Sequence, residues 1–551
     1  MRRIALAGVV VVALGALSPV AAQAAPAPLS VQHIPWVKCF QPDPAAGPDE
    51  DLGEYGRLEC GVYKVPRDWA HPGDGRTLDM IATRLPARNG KARGAVFTNP
   101  GGPGASGTIM PMLWGLAKKS RLAEEMDLYG IDVRGVFQLT CGEKGHGDTP
   151  DSRDRRPKNV ARLLRLSKAI AKDCQARPAQ RYVTTAQTVR DLDLLRSLIG
   201  QEKINWVGYS GGSWLGAHYA AQFPRRTGRF VLDSNVQFTG GWQEAFNLQP
   251  KGFERRFRED FAPWAARNHK SYKIGRTAKQ VIAVYEGIRR DVAREPLPLY
   301  GSELRPADVD GLIAGAMYVK DAFPTTGTLL ALMRRYTGLE PNGRAAAAGT
   351  LNELVRSLRT ISTPLHTAAP EDEEPPRDSE DATFYAITCN DTAHRGTPKQ
   401  LAARSAKLGK KYPLIGWSTI IDPCQYWKRR PGLALKRPGR NLPGMLMVQS
   451  VHDPATPYEG ALKAHRVLRN SRLLTVKGEG DHGVYFSGNA CVDRIVEAYL
   501  IDGRFPKKDL TCKGLPLPGA GGSDVFFRAR NTPANPLQAI AGLTREHPIT
   551  R

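Results

Sequence analysis

The stretch Ile204–Phe223, INWVGYSGGSWLGAHYAAQF, decides the fold. An apolar run that is typical of a buried strand meets a glycine-rich turn, and this turn leads into a second apolar segment long enough for a helix. Residues 208–212, GYSGG, fit the pattern G-x-S-x-G, in which a strand turns so tightly into a helix that the central residue is strained. The sequence therefore predicts a strand, a sharp turn and a helix, with the Ser210 hydroxyl held above the end of the strand.

Ser210 is the serine of this stretch that is centred in the pattern, because Ser213 is followed two residues later by Leu215 and not by glycine. A plain glycine-rich turn is the alternative interpretation, since a five-residue motif also occurs by chance. The strand before the motif and the helix after it favour a nucleophile. A serine hydroxyl is a weak nucleophile at its ordinary pKa, so it needs a base that is itself oriented by an acid.

Acid and base candidates lie near the end of the chain. In folds with this turn the order along the chain is Ser, then Asp or Glu, then His. Asp453 follows the strand-like run GMLMVQSV, and His482 follows the strand-like run RLLTVKG, so both are in loops after strands. We predict Asp453 as the acid and His482 as the base. The alternatives are His452 and His465 for the base, and Asp233, Glu479 and Asp481 for the acid.

A second glycine loop, NPGGPG at residues 99–104, follows the strand-like segment GAVFT. Acyl transfer needs backbone donors that are already in place for the oxyanion. The N–H of Gly211, directly after the predicted nucleophile, supplies one donor. Gly102 is the predicted source of the other, because Pro100 and Pro103 have no N–H.

Strands and helices alternate on both sides of these motifs, which predicts a mostly parallel α/β sheet with helices on both faces. From residue 236 onward the pattern changes to long helical segments, and strand-then-loop segments return after residue 440. We predict six parts: a signal peptide (1–25), an N-terminal wrap with the first strands (26–93), the first part of the core (94–235), a helical lid insertion (236–440), the C-terminal part of the core (441–512) and a C-terminal arm (513–551).

The N-terminus has the pattern of an export signal: Arg2 and Arg3, a short apolar run and a small-residue cleavage region. We therefore expect a secreted, extracellular protein without stable membrane insertion. The formal net charge of +24 comes from basic residues scattered along the chain, which favours a solvated surface over a nucleic-acid partner.

Eight cysteines in an exported chain indicate disulfides. Their order suggests the pairs Cys39–Cys60, Cys141–Cys174, Cys389–Cys424 and Cys491–Cys512, with neither C-x-x-C spacing nor a metal site.

As a set, the motifs resemble the secreted tripeptidyl aminopeptidases of actinobacteria, serine peptidases of the α/β-hydrolase class related to prolyl aminopeptidases. The matching stretches include CGVYKVPRDWAHP, NPGGPGASG, DLYGIDVRGV, GYSGGSWLGAHYAAQFP, AITCND, HDPATP, GEGDHG and CVDRIVEAYLIDGRFP. The resemblance implies an α/β-hydrolase fold with a helical lid, a triad of Ser210, Asp453 and His482, and oxyanion donors near Gly102 and Gly211. It also implies peptide substrates with a free N-terminus, and the mechanism requires no cofactor or metal.

Two positions depart from the family pattern. Gly211 stands where a tyrosine is more usual, which we expect to loosen the floor of the pocket, and residues 134–139 read RGVFQL in place of RGVGRS. An aminopeptidase must also hold a substrate ammonium group, for which Asp391 and the acidic run Glu371–Glu374 are candidates. A secreted esterase or lipase with the same triad is the main alternative, and a non-catalytic binding protein on the same scaffold is the other.

Overall fold

The computed structural model describes residues 28–40, 52–117, 120–142, 149–299, 302–337, 349–358, 379–429 and 432–520. The predicted signal peptide, the acidic run Glu371–Glu374 and residues 521–551 of the predicted arm lie outside these ranges. Twelve strands are present in the described part: β1 Val37–Lys38, β2 Glu59–Pro66, β3 Thr77–Leu85, β4 Ala95–Asn99, β5 Asp127–Ile131, β6 Ile204–Tyr209, β7 Thr227–Asp233, β8 Leu297–Leu299, β9 Ser302–Leu304, β10 Met445–Ser450, β11 Ser471–Lys477 and β12 Leu510–Lys513.

Ten of these strands form one sheet in the order β1-β2-β3-β5-β4-β6-β7-β10-β11-β12, and β8 and β9 form a separate hairpin. The pairings from β1 to β3 and between β3 and β5 are antiparallel. From β5 to β12 every pairing is parallel. The prediction of a mostly parallel α/β sheet is therefore confirmed.

The helices surround this sheet and fill the long connection between β7 and β10. They are α1 Pro111–Gly115, α2 Arg121–Glu125, α3 Pro157–Cys174, α4 Thr185–Leu198, α5 Gly211–Gln222, α6 Trp242–Phe246, α7 Gln249–Arg255, α8 Ala262–Arg267, α9 His269–Tyr272, α10 Ala278–Arg294, α11 Pro306–Ala316, α12 Phe323–Tyr336, α13 349–358, α14 Ser379–Asp391, α15 Pro398–Lys411, α16 Tyr458–Val467 and α17 Ala490–Leu500. A π-helical turn, Arg256–Phe261, joins α7 to α8.

The central strands have almost continuous apolar sequences because both of their faces are buried. Alternate residues point into two different cores: Trp206 of β6 packs with helices α4, α5 and α16, and its neighbour Val207 packs with α1, α2 and α17. The insertion between β7 and β10 has a third core of its own, which includes Phe257, Tyr285 and Leu330. Much of the predicted helical insertion therefore has an apolar interior of its own, while α14 packs into the same core as Trp206.

Four disulfides tie the outer elements together, and they join the same cysteines that the order along the chain suggests. Cys39–Cys60 links β1 to β2, and Cys491–Cys512 links α17 to β12. The other two pairs are Cys141–Cys174 at the end of α3 and Cys389–Cys424 in the insertion. In the described part of the chain, every helix is too short or too polar to cross a bilayer.

Candidate active site

The predicted nucleophile lies on a strained turn between β6 and α5. Ser210 has φ +53° and ψ −121°, a backbone conformation that costs free energy for any residue other than glycine. Close contacts require the flanking glycines. A Cβ on Gly208 would collide with the carbonyl oxygen of Gly212, and a Cβ on Gly212 would lie 2.6 Å from the carbonyl oxygen of Asn99. The backbone N–H of Ser210 donates to the carbonyl of Asp233 on the neighbouring strand, at 3.0 Å.

The second serine of the opening stretch is structural. Ser213 is fully buried, and its hydroxyl donates to the carbonyl oxygen of Ser210 at 2.6 Å. The same hydroxyl accepts a hydrogen bond from the backbone N–H of Val236 at 3.0 Å. Because both bonds are satisfied inside the protein, this hydroxyl fastens the turn and does not face a substrate.

Asp453 and His482 lie together at the ends of β10 and β11. The Nδ1 atom of His482 is 3.0 and 3.1 Å from the two carboxylate oxygens of Asp453, which is completely buried. The carboxylate also accepts hydrogen bonds from the backbone N–H groups of Ala455 and Thr456 and from the Thr456 hydroxyl, at 2.7–3.0 Å. These bonds fix the carboxylate, so it can hold the imidazole in one orientation and one tautomer.

The environment of His482 favours its protonated form. Burial by itself would lower the pKa of the imidazole, but the negative charges of Asp453 and Asp233 and the hydrogen bond to Asp453 raise it above its ordinary value. A histidine of this kind can accept a proton from a hydroxyl and hold the resulting positive charge.

The alternative acids have other partners. One carboxylate oxygen of Asp233 accepts from the backbone N–H groups of Val484 and Tyr485 at 2.9 and 2.6 Å, so this residue supports the histidine loop without contacting the imidazole nitrogen. Burial raises the pKa of Asp233 to about 6. Asp481 and Glu479 pair with cations of the insertion: Arg256 to Asp481 at 2.5 Å and Lys320 to Glu479 at 2.6 Å.

The alternative bases are also engaged elsewhere. His452 contacts Asp260 through Nδ1 at 2.8 Å. His465 contacts Ser471 at 2.7 Å and Asp509 at 3.0 Å, and it lies on α16 beside the last strands. In the described structure, the imidazole that contacts the Asp453 carboxylate is that of His482 and not that of either alternative histidine.

The insertion takes part in the site, which the sequence did not reveal. The backbone N–H of His482 donates to the carbonyl of Tyr318 at 2.8 Å, and the two rings meet edge to face at 5.3 Å. Tyr318 lies in a linker between α11 and α12 that has no recognisable motif. Sequence patterns report on local structure, and this contact joins residues 164 positions apart.

The glycine loop after β4 lies directly against the first turn of α5. The Gly101 N–H donates to the Asn99 side chain at 3.0 Å, and Pro100 and Pro103 have no N–H. Of the two N–H groups between Pro100 and Pro103, that of Gly101 is therefore already bonded. The N–H of Gly102, a residue with φ +94°, remains as the one that can face the nucleophile. The approach is close: a Cβ on Gly101 would lie 2.5 Å from the nitrogen of Gly211.

This approach corrects the expectation that Gly211 leaves a loose pocket floor. A Cβ on Gly211 would lie 2.9 Å from the nitrogen of Pro103 and 3.1 Å from the carbonyl carbon of Gly102. The space of the absent side chain is occupied by the backbone of the glycine loop. Gly211 therefore brings the two predicted oxyanion donors close together.

A cleft opens beside the nucleophile. Ser210, Gly102 and Thr456 line it near the predicted triad. All of its lining residues are uncharged: about half are apolar, and Asn235, Gln237 and Gln249 contribute amide groups. The apolar side chains are Val236, Trp242, Ala245, Phe246, Leu248, Ala455 and Pro457.

Asp391, a candidate for holding a substrate ammonium group, supports a wall of this cleft from behind. Its carboxylate accepts from the backbone N–H and hydroxyl of Thr185 at 2.8 and 2.6 Å, and from the indole of Trp242 at 3.3 Å. Burial raises the pKa of the Asp391 carboxyl to about 6.

The divergent loop at residues 134–139 does not line the cleft. Its first residue, Arg134, is buried in a two-pronged ion pair with Asp191.

One group in the described part of the chain has the side chains of a metal site: His394, Asp422 and Cys424. The imidazole of His394 already bonds to Asp422 at 2.8 Å. Cys424 is in a disulfide with Cys389, so its sulfur is not available as a thiolate ligand. The donor set therefore does not fit a resident metal ion.

Two family models match parts of the chain. Residues 94–272 match the family model described as alpha/beta hydrolase fold, and residues 412–512 match the one described as TAP-like protein. A tripeptidyl aminopeptidase of Streptomyces lividans is 30% identical over 476 residues, 83% of each chain. Serine protease Hip1 of Mycobacterium tuberculosis is 28% identical, over 92% of this chain and 96% of that protein.

A relative named carboxylesterase B, also from Mycobacterium tuberculosis, is 28% identical over 84% of this chain and 88% of its own length. Among solved structures, a proline iminopeptidase of Mycobacterium smegmatis matches with 12% identity, 80% coverage of this chain, 100% of that chain and a TM-score of 0.33. The sequence relationship to the Streptomyces enzyme, together with the two family models, establishes that the chain is a serine hydrolase of the tripeptidyl aminopeptidase family with an α/β-hydrolase fold.

Proposed function

We propose that this enzyme is a secreted serine exopeptidase that releases short peptides from free N-termini, with Ser210, His482 and Asp453 as its catalytic triad. The observation that carries the proposal is the buried Asp453 carboxylate, both of whose oxygens contact Nδ1 of His482. Thr456, whose hydroxyl donates to this carboxylate, lines the same cleft as the strained Ser210, which supports the proposal. The names of the relatives, tripeptidyl aminopeptidase and serine protease, support a peptide substrate.

The proposed reaction proceeds through an acyl-enzyme. The Ser210 oxygen attacks the scissile carbonyl carbon while Nε2 of His482 takes the hydroxyl proton, and Asp453 stabilises the imidazolium through Nδ1. When the tetrahedral intermediate collapses, the C–N bond breaks and the imidazolium gives its proton to the leaving amine. Water then attacks the ester by the same route, His482 takes its proton, and the Ser210 hydroxyl is restored as the peptide is released.

The oxyanion of each tetrahedral intermediate would be held by the N–H groups of Gly102 and Gly211. The first lies in the glycine loop between two prolines, and the second is in the first turn of α5, where backbone N–H groups have no partner within the helix. Donors that are fixed before the reaction stabilise the developing charge without reorganisation at the moment of reaction. The close contact between the loop and Gly211 supports this arrangement.

The cleft supports an uncharged, apolar residue next to the scissile bond. Its walls include Trp242, Phe246 and Leu248, and its lining contains no Lys, Arg, Asp or Glu. A charged substrate side chain would lose hydration there without gaining a partner. The four disulfides support export to an oxidising compartment, in line with the predicted signal peptide.

A direct test compares three chromogenic substrates on the purified enzyme: a tripeptide with a free N-terminus, the same tripeptide with a blocked N-terminus, and a short-chain ester. We expect the free tripeptide to be cleaved fastest, and a Ser210→Ala variant to lose turnover and labelling by a fluorophosphonate probe. A Ser213→Ala variant is the matched control, which should still be labelled. Equal cleavage of the blocked and free peptides would contradict the aminopeptidase proposal.

A secreted esterase is the second candidate, because the relative named carboxylesterase B aligns over most of the chain. The same triad and oxyanion donors hydrolyse esters, so fold and geometry do not choose between the substrates. Ester turnover without peptide turnover in the same experiment would favour the esterase. Absence of both turnover and labelling would favour a binding protein.

A further inference from the structure

Helix α3 presents a line of positive charge that is not visible as a cluster in the sequence. Five basic side chains are exposed on it, at successive spacings of four, three, three and four residues: Lys158, Arg162, Arg165, Lys168 and Lys172. Residues at such spacings share one face of a helix. These five residues, here called the basic stripe, span fourteen positions and therefore about 21 Å along the helix.

Among the residues that the structure describes, the basic stripe has no counter-charge. None of its five side chains forms an ion pair or hydrogen bond within the described part of the chain, and Asp173 is the single acidic residue of the helix. Two exposed arginines elsewhere do have an acidic partner one turn away: Arg121 pairs with Glu125, and Arg258 pairs with Glu254. Like charges one turn apart destabilise a helix, so the basic stripe does not serve the stability of α3.

The helix that carries the basic stripe is firmly held. Its opposite face is buried through residues such as Leu163 and Ile170, and its last residue is in the Cys141–Cys174 disulfide. Midway along the helix, the Ser167 hydroxyl accepts from the backbone N–H of Asp422 at 3.1 Å. The five charges therefore stand on a fixed support, and binding to them does not have to order the helix first.

A second basic helix lies next to the beginning of α3. Arg155, two residues before α3, donates to the carbonyl of Ala402 on α15 at 2.9 Å. Helix α15 contains no acidic residue. Its exposed basic side chains are Lys399, Lys407, Lys410 and Lys411.

We propose that the basic stripe is a docking surface for a linear polyanion of phosphate type that carries no bases. Cations repeated at regular intervals along 21 Å match an extended chain of repeated negative charges, and the net charge of +24 adds long-range attraction. Helix α3 contains no aromatic residue on which a base could stack, which disfavours single-stranded nucleic acid. No residue of α3 lines the cleft beside Ser210, so a docked polymer would hold the enzyme in place with the cleft open.

The test uses long-chain inorganic polyphosphate as the probe and measures its binding to the full-length secreted enzyme over a range of salt concentrations. One variant replaces all five residues of the basic stripe by glutamine. The matched control also removes five positive charges, from exposed and unpaired lysines spread over the surface: Lys203, Lys463, Lys477, Lys507 and Lys508. Labelling by fluorophosphonate shows that each variant is folded.

For five contacts, a plot of the logarithm of the binding constant against the logarithm of the salt concentration should have a slope of about −3.5. The binding constant should therefore fall about 100-fold between 50 and 200 mM salt. The stripe variant should lose most of this binding and most of the slope, and the control should keep both. Equal losses in the two variants would overturn the proposal, because they would show a response to net charge alone. Tighter binding of a single-stranded oligonucleotide of the same charge would overturn it in favour of nucleic acid.

Discussion

Replacing Gly211 by alanine tests how the oxyanion site is built. The new Cβ would lie 2.9 Å from the nitrogen of Pro103, 3.1 Å from the carbonyl carbon of Gly102 and 3.2 Å from that of Gly101. All three are backbone atoms, so no side-chain rotation can relieve the contact. The glycine loop would have to withdraw from α5 by a few tenths of an ångström.

The expected effect follows from the narrow range in which oxyanion donors work, about 2.7–3.1 Å from the developing negative charge. Removing such a donor completely lowers kcat by about 10²–10³. A displaced donor keeps part of its effect, so we expect kcat to fall by about 10- to 100-fold, which corresponds to about 1.4–2.7 kcal/mol in the activation free energy. KM should change less, since this interaction is stronger in the transition state than with bound substrate.

The assay measures kcat and KM for Gly211→Ala on the tripeptide substrate, together with the midpoint of thermal unfolding. Gly315→Ala on α11 is the matched control, because its Cβ would have no atom within 4 Å. The control should keep its activity. A Gly211→Ala enzyme with kcat within about twofold of wild type, or with the whole loss in KM, would refute the reasoning.

Three further measurements test other parts of the structure. Asp453 and Asp233 raise the pKa of His482 despite its burial, so a pH–rate profile should show kcat/KM falling as the pH drops, with a midpoint above 6.5. Asp453→Asn should move this midpoint to lower pH and lower kcat by about 10⁴. Asp191→Ala leaves the Arg134 guanidinium buried and unpaired, so denaturant unfolding should show a loss of about 3–5 kcal/mol, and an unchanged midpoint would contradict this. Replacing both cysteines of Cys141–Cys174 by alanine should lower the free energy of unfolding by about 3–4 kcal/mol in the same assay, because the disulfide restricts the unfolded chain. An unchanged free energy of unfolding would contradict this reasoning.

The elements that the sequence predicts well are those with a strong local pattern. Strands β6 and β10 are buried on both faces, and the G-x-S-x-G turn around Ser210 must contain glycines to avoid collisions with neighbouring backbone. The choice between Asp453 and Asp233 was harder, because Asp233 is the last residue of the apolar strand β7 and Asp453 is in the loop after the apolar strand β10. The choice depends on which carboxylate contacts the imidazole of His482 and which one accepts from backbone N–H groups. Contacts between different strands and loops decide this, and a local sequence pattern does not report them.

The insertion was less predictable for a physical reason. Residues 252–267, GFERRFREDFAPWAAR, look like one long helix, but the structure interrupts it with the π-turn Arg256–Phe261. A period of 3.6 residues does not signal such a turn, because the apolar side chains still fall on one face. The partners of Arg256 in this turn include Asp481, 225 residues away, so its role depends on the assembled fold.

The insertion and the histidine loop form one buried unit. The carbonyl of Tyr318 accepts from the His482 N–H, Arg256 pairs with Asp481, and Lys320 pairs with Glu479. Lifting this part of the insertion away would separate opposite charges held in the interior and would release the loop that positions the imidazole. The observed position of the His482 loop therefore depends on this part of the insertion staying in contact with it.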